Sequence, residues 1–233
     1  MLPAPSPEQL PPLIVLGTAT VVLLTFHYAT PARVWQWLLA DRVDSAQAVV
    51  LQRSAGVLLL GIVPGLVGWW ALGRSPIDLG LGVPEPTVSL GFLGFIAVAA
   101  LPLVRWSAKR PDSREAYPEI RSNPWDRRLR TTNALSWAVY LLAYEFFFRG
   151  FLLVPLVAWA GLWPGIAITT AIYVTVHFTQ PAGEAIGTLP MGILFALVAL
   201  SSGAIWAGWI GHVAIAVAND HWVVEANPEL SSA

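Results

Sequence analysis

The sequence predicts an all-α, polytopic membrane bundle of about seven transmembrane helices, on three observations. Hydrophobic residues make up 56% of the 233 and charged residues 12%, with a mean hydropathy of +0.63; a soluble domain of this size has about 25% charged residues. The apolar residues gather into runs, several of them near the roughly 20 residues that cross a 30 Å hydrocarbon core. Between the third and fourth runs, Arg105 to Thr132 holds eight of the thirteen basic residues, the asymmetry that orients membrane proteins. The chain reads as one integral membrane domain, 1–233, with amino-terminal spans over 13–104 and a basic connection over 105–133.

Taken in order, a proline-rich polar stretch, Met1 to Pro12, leads into span one, Leu13 to Ala29. No positive residue precedes it and no small-residue cleavage site follows it, so it reads as a retained span. Pro31 to Arg53 mixes Trp35, Trp37 and Leu38 with Arg33, Asp41, Arg42 and Asp44, an interfacial piece before span two, Ser54 to Leu72. Gly73 to Pro86 is turn-rich, and span three, Thr87 to Val104, ends at Arg105 and Trp106. The positive-inside rule puts the basic segment in the cytoplasm, the amino terminus outside and the carboxy terminus inside.

Span four is Ala134 to Ala160, span five Trp163 to Phe178, span six Leu189 to Leu200 and span seven Ala204 to Ala218. Gly161 to Pro164, Pro181 to Gly187 and Ser201 to Gly203 join them. Spans five to seven are short for a bilayer at about 1.5 Å per residue. Tryptophans stand near many span ends, as an aromatic belt requires.

With no cysteine, disulfides, thiolate nucleophiles and thiolate metal sites are excluded. The net charge of -1 carries no sign of a nucleic-acid partner. Chemistry must therefore come from the few polar groups in the spans: Glu145 and Arg149, four residues apart on span four, then His177 and His212, with Asn219 and Asp220 just beyond. Intramembrane charge costs at least about 2.5 kcal/mol, so such residues face protein or water and mark function by default. A carboxylate and two imidazoles brought together can polarise a water or hold an oxyanion. The same trio, Glu145, His177 and His212, also suits a divalent metal, although no HExxH occurs.

The residues Glu145-Phe-Phe-Phe-Arg149-Gly150, Tyr173-Val-Thr-Val-His177 and His212 resemble the three motifs (EExxxR, FxxxH, HxxxN/D) of the CPBP, or ABI, family, relatives of the CAAX prenyl endopeptidase. The likeness covers about 134–220. It implies an intramembrane endopeptidase in which Glu145 activates water, His177 and His212 share its cavity and Arg149 holds the acidic motif. It also implies a bacterial cytoplasmic-membrane location and a membrane protein or lipidated peptide as substrate; no cofactor is predicted, and a divalent metal stays open. Two positions depart from the pattern: Tyr144 stands at the leading glutamate and Ala216 at the amide after His212. Asn219, seven residues past His212 on the same helical face, is the expected stand-in for that amide.

Bland readings stand beside these. Glu145 with Arg149 also reads as a buried ion pair, His177 as an interfacial ring, and Tyr140, Tyr144 and Phe148 as packing at helical spacing. Glu184 reads as a loop carboxylate or helix-start partner, and His27 and His221 as interfacial. The basic segment also suits contact with anionic lipid. The two functional readings are therefore a membrane endopeptidase and a catalytically degenerate homologue acting as a scaffold or as a peptide- or lipid-binding protein.

Overall fold

The computed structural model describes residues 6–39 and 43–227, which fold as helices joined by turns. The first five residues of the polar amino-terminal stretch, and Asp41 and Arg42, lie outside the described residues. In chain order the helices are α1 (Leu10–Ala29), α2 (Ala32–Leu39), α3 (Ser45–Leu72), α4 (86–107), α5 (Pro111–Ala116), α6 (Arg127–Ala160), α7 (Leu162–Thr175), α8 (Ala182–Ser202) and α9 (Trp206–Ala226).

Local chemistry sets the boundaries. Asp44 and Gln47 form a reciprocal capping box at the start of α3, each side chain accepting the other's backbone N–H. The Asp126 carboxylate accepts from Leu129 N–H at 2.7 Å and starts α6, and the Glu85 carboxylate does the same for α4 through Thr87 and Val88. Gly203 ends α8 in the left-handed region, φ 72°, where a side chain is strained.

Five segments are long and apolar enough to cross a membrane: α1, α3, the stretch Ile77–Ser107, α6 and α8. The seven expected spans thus divide. Leu162–Thr175 is apolar but short, and α9 carries His212, Asp220, His221 and Glu225 along its length. Four boundaries need correction: α3 begins nine residues before the expected start of span two, α6 begins seven before that of span four, and spans six and seven also differ. Span six begins seven residues before its expected start: Pro181 to Gly187 read as a connection, yet Gly183 and Gly187 lie inside α8. Span seven continues eight residues past Ala218, because Asp220 is buried against partners on α6 and does not end the helix.

The Arg33 to Arg53 connection also differs from an interfacial loop. Its described residues form α2 and the first turns of α3, and Arg53 points inward, 3% exposed.

α6 is the central rod. Its apolar window is 78% buried, against 17–33% in the other crossing segments. Around it the largest apolar cluster gathers Val15 and Ala19 of α1, Leu60 of α3, Phe147, Phe148, Phe151 and Leu156 of α6, Tyr173 of α7 and Ile205. The turn Ile77–Leu81 docks on α6 at Gly150, where any Cβ would overlap the Leu79 carbonyl oxygen. A wide π-helical turn, Phe146–Leu152, interrupts α6 just after Glu145, a local departure that often accompanies functional residues.

Candidate active site

Glu145 is fully buried, and both its oxygens face cations or potential cations. His212, on α9, sets its Nδ1 2.6 Å from Glu145 Oε1. Arg149, one turn further along α6, brings Nε to 3.4 Å from Oε2. Gly208 lies one turn before His212 at this contact, where a Cβ would stand 3.4 Å from Oε2 and 3.2 Å from the Phe195 ring, tight only against the ring. A carboxylate at hydrogen-bond distance makes His212 Nδ1 the donor, so the neutral ring keeps its lone pair on Nε2.

His177 lies just past the end of α7, half-buried, where its Nδ1 donates to the Tyr173 carbonyl at 2.8 Å. Its basic nitrogen is likewise Nε2. Tyr144 stands between the two imidazoles. Its ring centroid is 5.6 Å from His212 and 6.3 Å from His177, both edge-on, and Tyr173 packs 4.6 Å from His177. The acid and the two imidazoles, from three different elements, therefore share one aromatic-walled region. Glu145 and His212 are joined directly, while His177 enters through Tyr144 and Tyr173.

Arg149 is 1% exposed and lies over aromatic faces, 4.8 Å from the Tyr173 centroid and 5.7 Å from Phe195. It stands beside Oε2 as an ion-pair partner without a hydrogen bond, while His212 takes Oε1. Asn219 does not join this group: among the described residues no hydrogen bond links it to Glu145, His177 or His212. Ala216 instead packs against the apolar cluster that holds Leu141 and Tyr144. Among the described residues, no three His, Asp or Glu side chains converge as metal ligands.

A second polar cluster, at the end of the bundle that carries the basic segment, escaped the sequence reading. Asp220 Oδ2 accepts from Asn133 Nδ2 at 2.9 Å and from Trp137 Nε1 at 2.8 Å. Arg53 donates to Asn133 Oδ1 at 2.9 Å and Ser136 Oγ at 2.7 Å, pairs with Glu119 at 2.9 Å, and lies 3.7 Å over the Trp137 ring. Arg53, Asn133 and Asp220 are all buried polar residues in a sequence this apolar, and that scarcity was the available signal.

Nearby, the Tyr117 hydroxyl sits 2.9 Å from both oxygens of Glu184 and donates to that carboxylate. Glu184 is thus a helix-start partner in the first turn of α8, not a solvated loop group. Burial, then the charge of Glu184, pushes the Tyr117 phenol well above its usual range, so it remains a neutral donor.

The fold and site together define an integral membrane protein, all-α, with a buried carboxylate–imidazole pair between its central helix and its last. Residues 132–218 match the family model described as Type II CAAX prenyl endopeptidase Rce1-like, so this stretch, from the beginning of the buried part of α6 through His212, is Rce1-like and consistent with membership of the CPBP family. At family level that means CAAX-protease-type intramembrane endopeptidases. Comparison with curated proteins and with solved structures gives no match.

Proposed function

We propose that the protein is an intramembrane endopeptidase that hydrolyses a peptide bond of a membrane-anchored or lipidated peptide, with Glu145 exerting its basicity on water through His212. The observation that carries this reading is the 2.6 Å contact between His212 Nδ1 and Glu145 Oε1. A buried carboxylate that accepts from one imidazole nitrogen fixes the tautomer and stabilises the imidazolium formed when the other nitrogen takes a proton. His212 Nε2 removes a proton from water, the hydroxide adds to the scissile carbonyl, and the imidazolium returns the proton to the departing amine. His177 Nε2, on the far side of Tyr144, is an acceptor for a substrate backbone N–H at the other edge of the same aromatic-walled region. Arg149 stands as the charge partner of the other Glu145 oxygen.

A second reading is favoured by Tyr144 and Ala216, which replace two motif residues: a scaffold that binds a peptide or lipid in the same region without cutting it. Purified protein in liposomes with membrane-anchored peptides separates the two. Under the enzyme reading, mass spectrometry finds a discrete cut product that Glu145→Gln lowers by about 10²–10⁴-fold, the usual worth of a positioned acid–base group. Peptide retention without product from the wild type supports the scaffold.

A further inference from the structure

α6 and α9 run antiparallel and meet at two polar rungs. One is Glu145 with His212; the other is Trp137 with Asp220, at 2.8 Å, reinforced by Asn133 at 2.9 Å. Trp137 precedes Glu145 by eight residues and Asp220 follows His212 by eight. The rungs are thus level on both helices and about 12 Å apart along each axis. Between them stand Leu141 and Ala216, members of one apolar cluster. The position where the family motif carries an amide is here an apolar contact between two polar ones.

Asp220, at 1% exposure, has no role in the chemistry proposed above and sits in a setting where a buried carboxylate is costly. Its two donors both come from α6, the helix that carries Glu145. A buried polar contact of this kind is best attested as a device that fixes register. A slip of one residue along α9 shifts it by about 1.5 Å and turns it by about 100°, enough to break a 2.6 Å hydrogen bond.

We propose that Asp220 is a positioning residue for His212: with Trp137 and Asn133 it sets the register of α9 on α6 and so holds Nδ1 of His212 on Glu145. Arg53 extends the rung outward. By gripping Asn133 and Ser136 with one nitrogen and Glu119 with another, it ties the register of the two helices to α3 and to the basic connection. The register claim concerns geometry, and its relevance to catalysis rests on the peptidase reading; a readout of His212 itself keeps the two separable.

The test is ¹⁵N NMR of the full chain in detergent micelles with labelled histidine, the His212 signals being those lost in His212→Gln. In the wild type His212 shows a single tautomer protonated at Nδ1. In Asp220→Ala that signature gives way to a mixture of tautomers while circular dichroism retains the helix content. Asp220→Asn, which keeps an acceptor oxygen for Trp137 and Asn133, restores it. Should Asp220→Ala fail to fold, Trp137→Phe, which removes one donor and keeps the ring under Arg53, gives the same reading in weaker form. An unchanged His212 signature in Asp220→Ala, or in Trp137→Phe if the former cannot be made, overturns the proposal, as does an Asn variant as disturbed as the Ala variant. If the wild type shows the single tautomer but never cuts a peptide, the peptidase reading falls and the register role stands.

Discussion

The ring of Tyr144 meets the ring of His212 edge-on, with centroids 5.6 Å apart and planes at 80°. Tyr144 occupies the position of the motif's leading glutamate, and it serves there as a wall between two imidazoles; its buried hydroxyl has no hydrogen-bond partner among the described residues. Removing that hydroxyl alone should therefore be harmless to the fold. Tyr144→Phe is expected to melt at or above the wild-type temperature, since an unpaired buried hydroxyl costs about 1–3 kcal/mol, whereas Tyr144→Ala loses about 3–5 kcal/mol to the cavity it opens. Thermal unfolding in detergent distinguishes them.

Arg149 and Glu145 neutralise each other where neither can reach solvent. Breaking such a pair from one side costs about 3–5 kcal/mol because the remaining charge is stranded. Arg149→Met and Glu145→Gln should each be destabilising: the first leaves Glu145 with His212 alone, the second leaves Arg149 with no anionic partner. The double variant should be less unstable than the sum of the two, and a double-mutant cycle on melting measures the coupling.

Gly150 is where the turn Ile77–Leu81 rests on α6, backbone against backbone. Gly150→Ala sets a methyl against the Leu79 carbonyl, which cannot rotate aside. A loss of about 1–3 kcal/mol is expected, the ordinary cost of overpacking. Limited proteolysis within residues 73–86 should rise in parallel.

Tyr117 ties the basic connection to Glu184 on α8. Its phenol is raised in the folded protein, chiefly by burial, so the contribution it makes is fully present below the unfolded phenol value of about 10 and is lost as pH rises from there toward the folded value. The difference in melting temperature between the wild type and Tyr117→Phe should hold steady from neutral pH to about 9 and shrink above about 10. A pH series of the two proteins side by side tests this.

Much of the fold was legible because bilayer physics leaves few options: apolar runs, basic clusters and turn residues located the crossing helices, although three of the five begin seven to nine residues earlier than expected. Two failures share one cause. The glycines at 183 and 187 read as a break by their backbone preference, and Asp220 read as the end of a span by its charge, yet the helix runs through the glycines and α6 supplies the donors that Asp220 lacks locally. In the site, the motif spacing singled out Glu145, Arg149, His177 and His212. Asn219 was chosen by helical periodicity from His212 alone, which says nothing of what lies opposite. Arg53, Glu119 and Asn133 come from elements far apart in sequence, and no local pattern joins them to Asp220.

The central claim is that Glu145 acts through His212, and the cleavage rates of Glu145→Gln, His212→Gln and the double variant test it most directly. Groups that work as one unit lose their effect once, not twice. The expected result is that each single variant lowers kcat/KM by about 10²–10⁴-fold and the double variant is no worse than the weaker single. Losses that multiply in the double variant, or a Glu145→Gln protein that cuts as fast as the wild type, would contradict it.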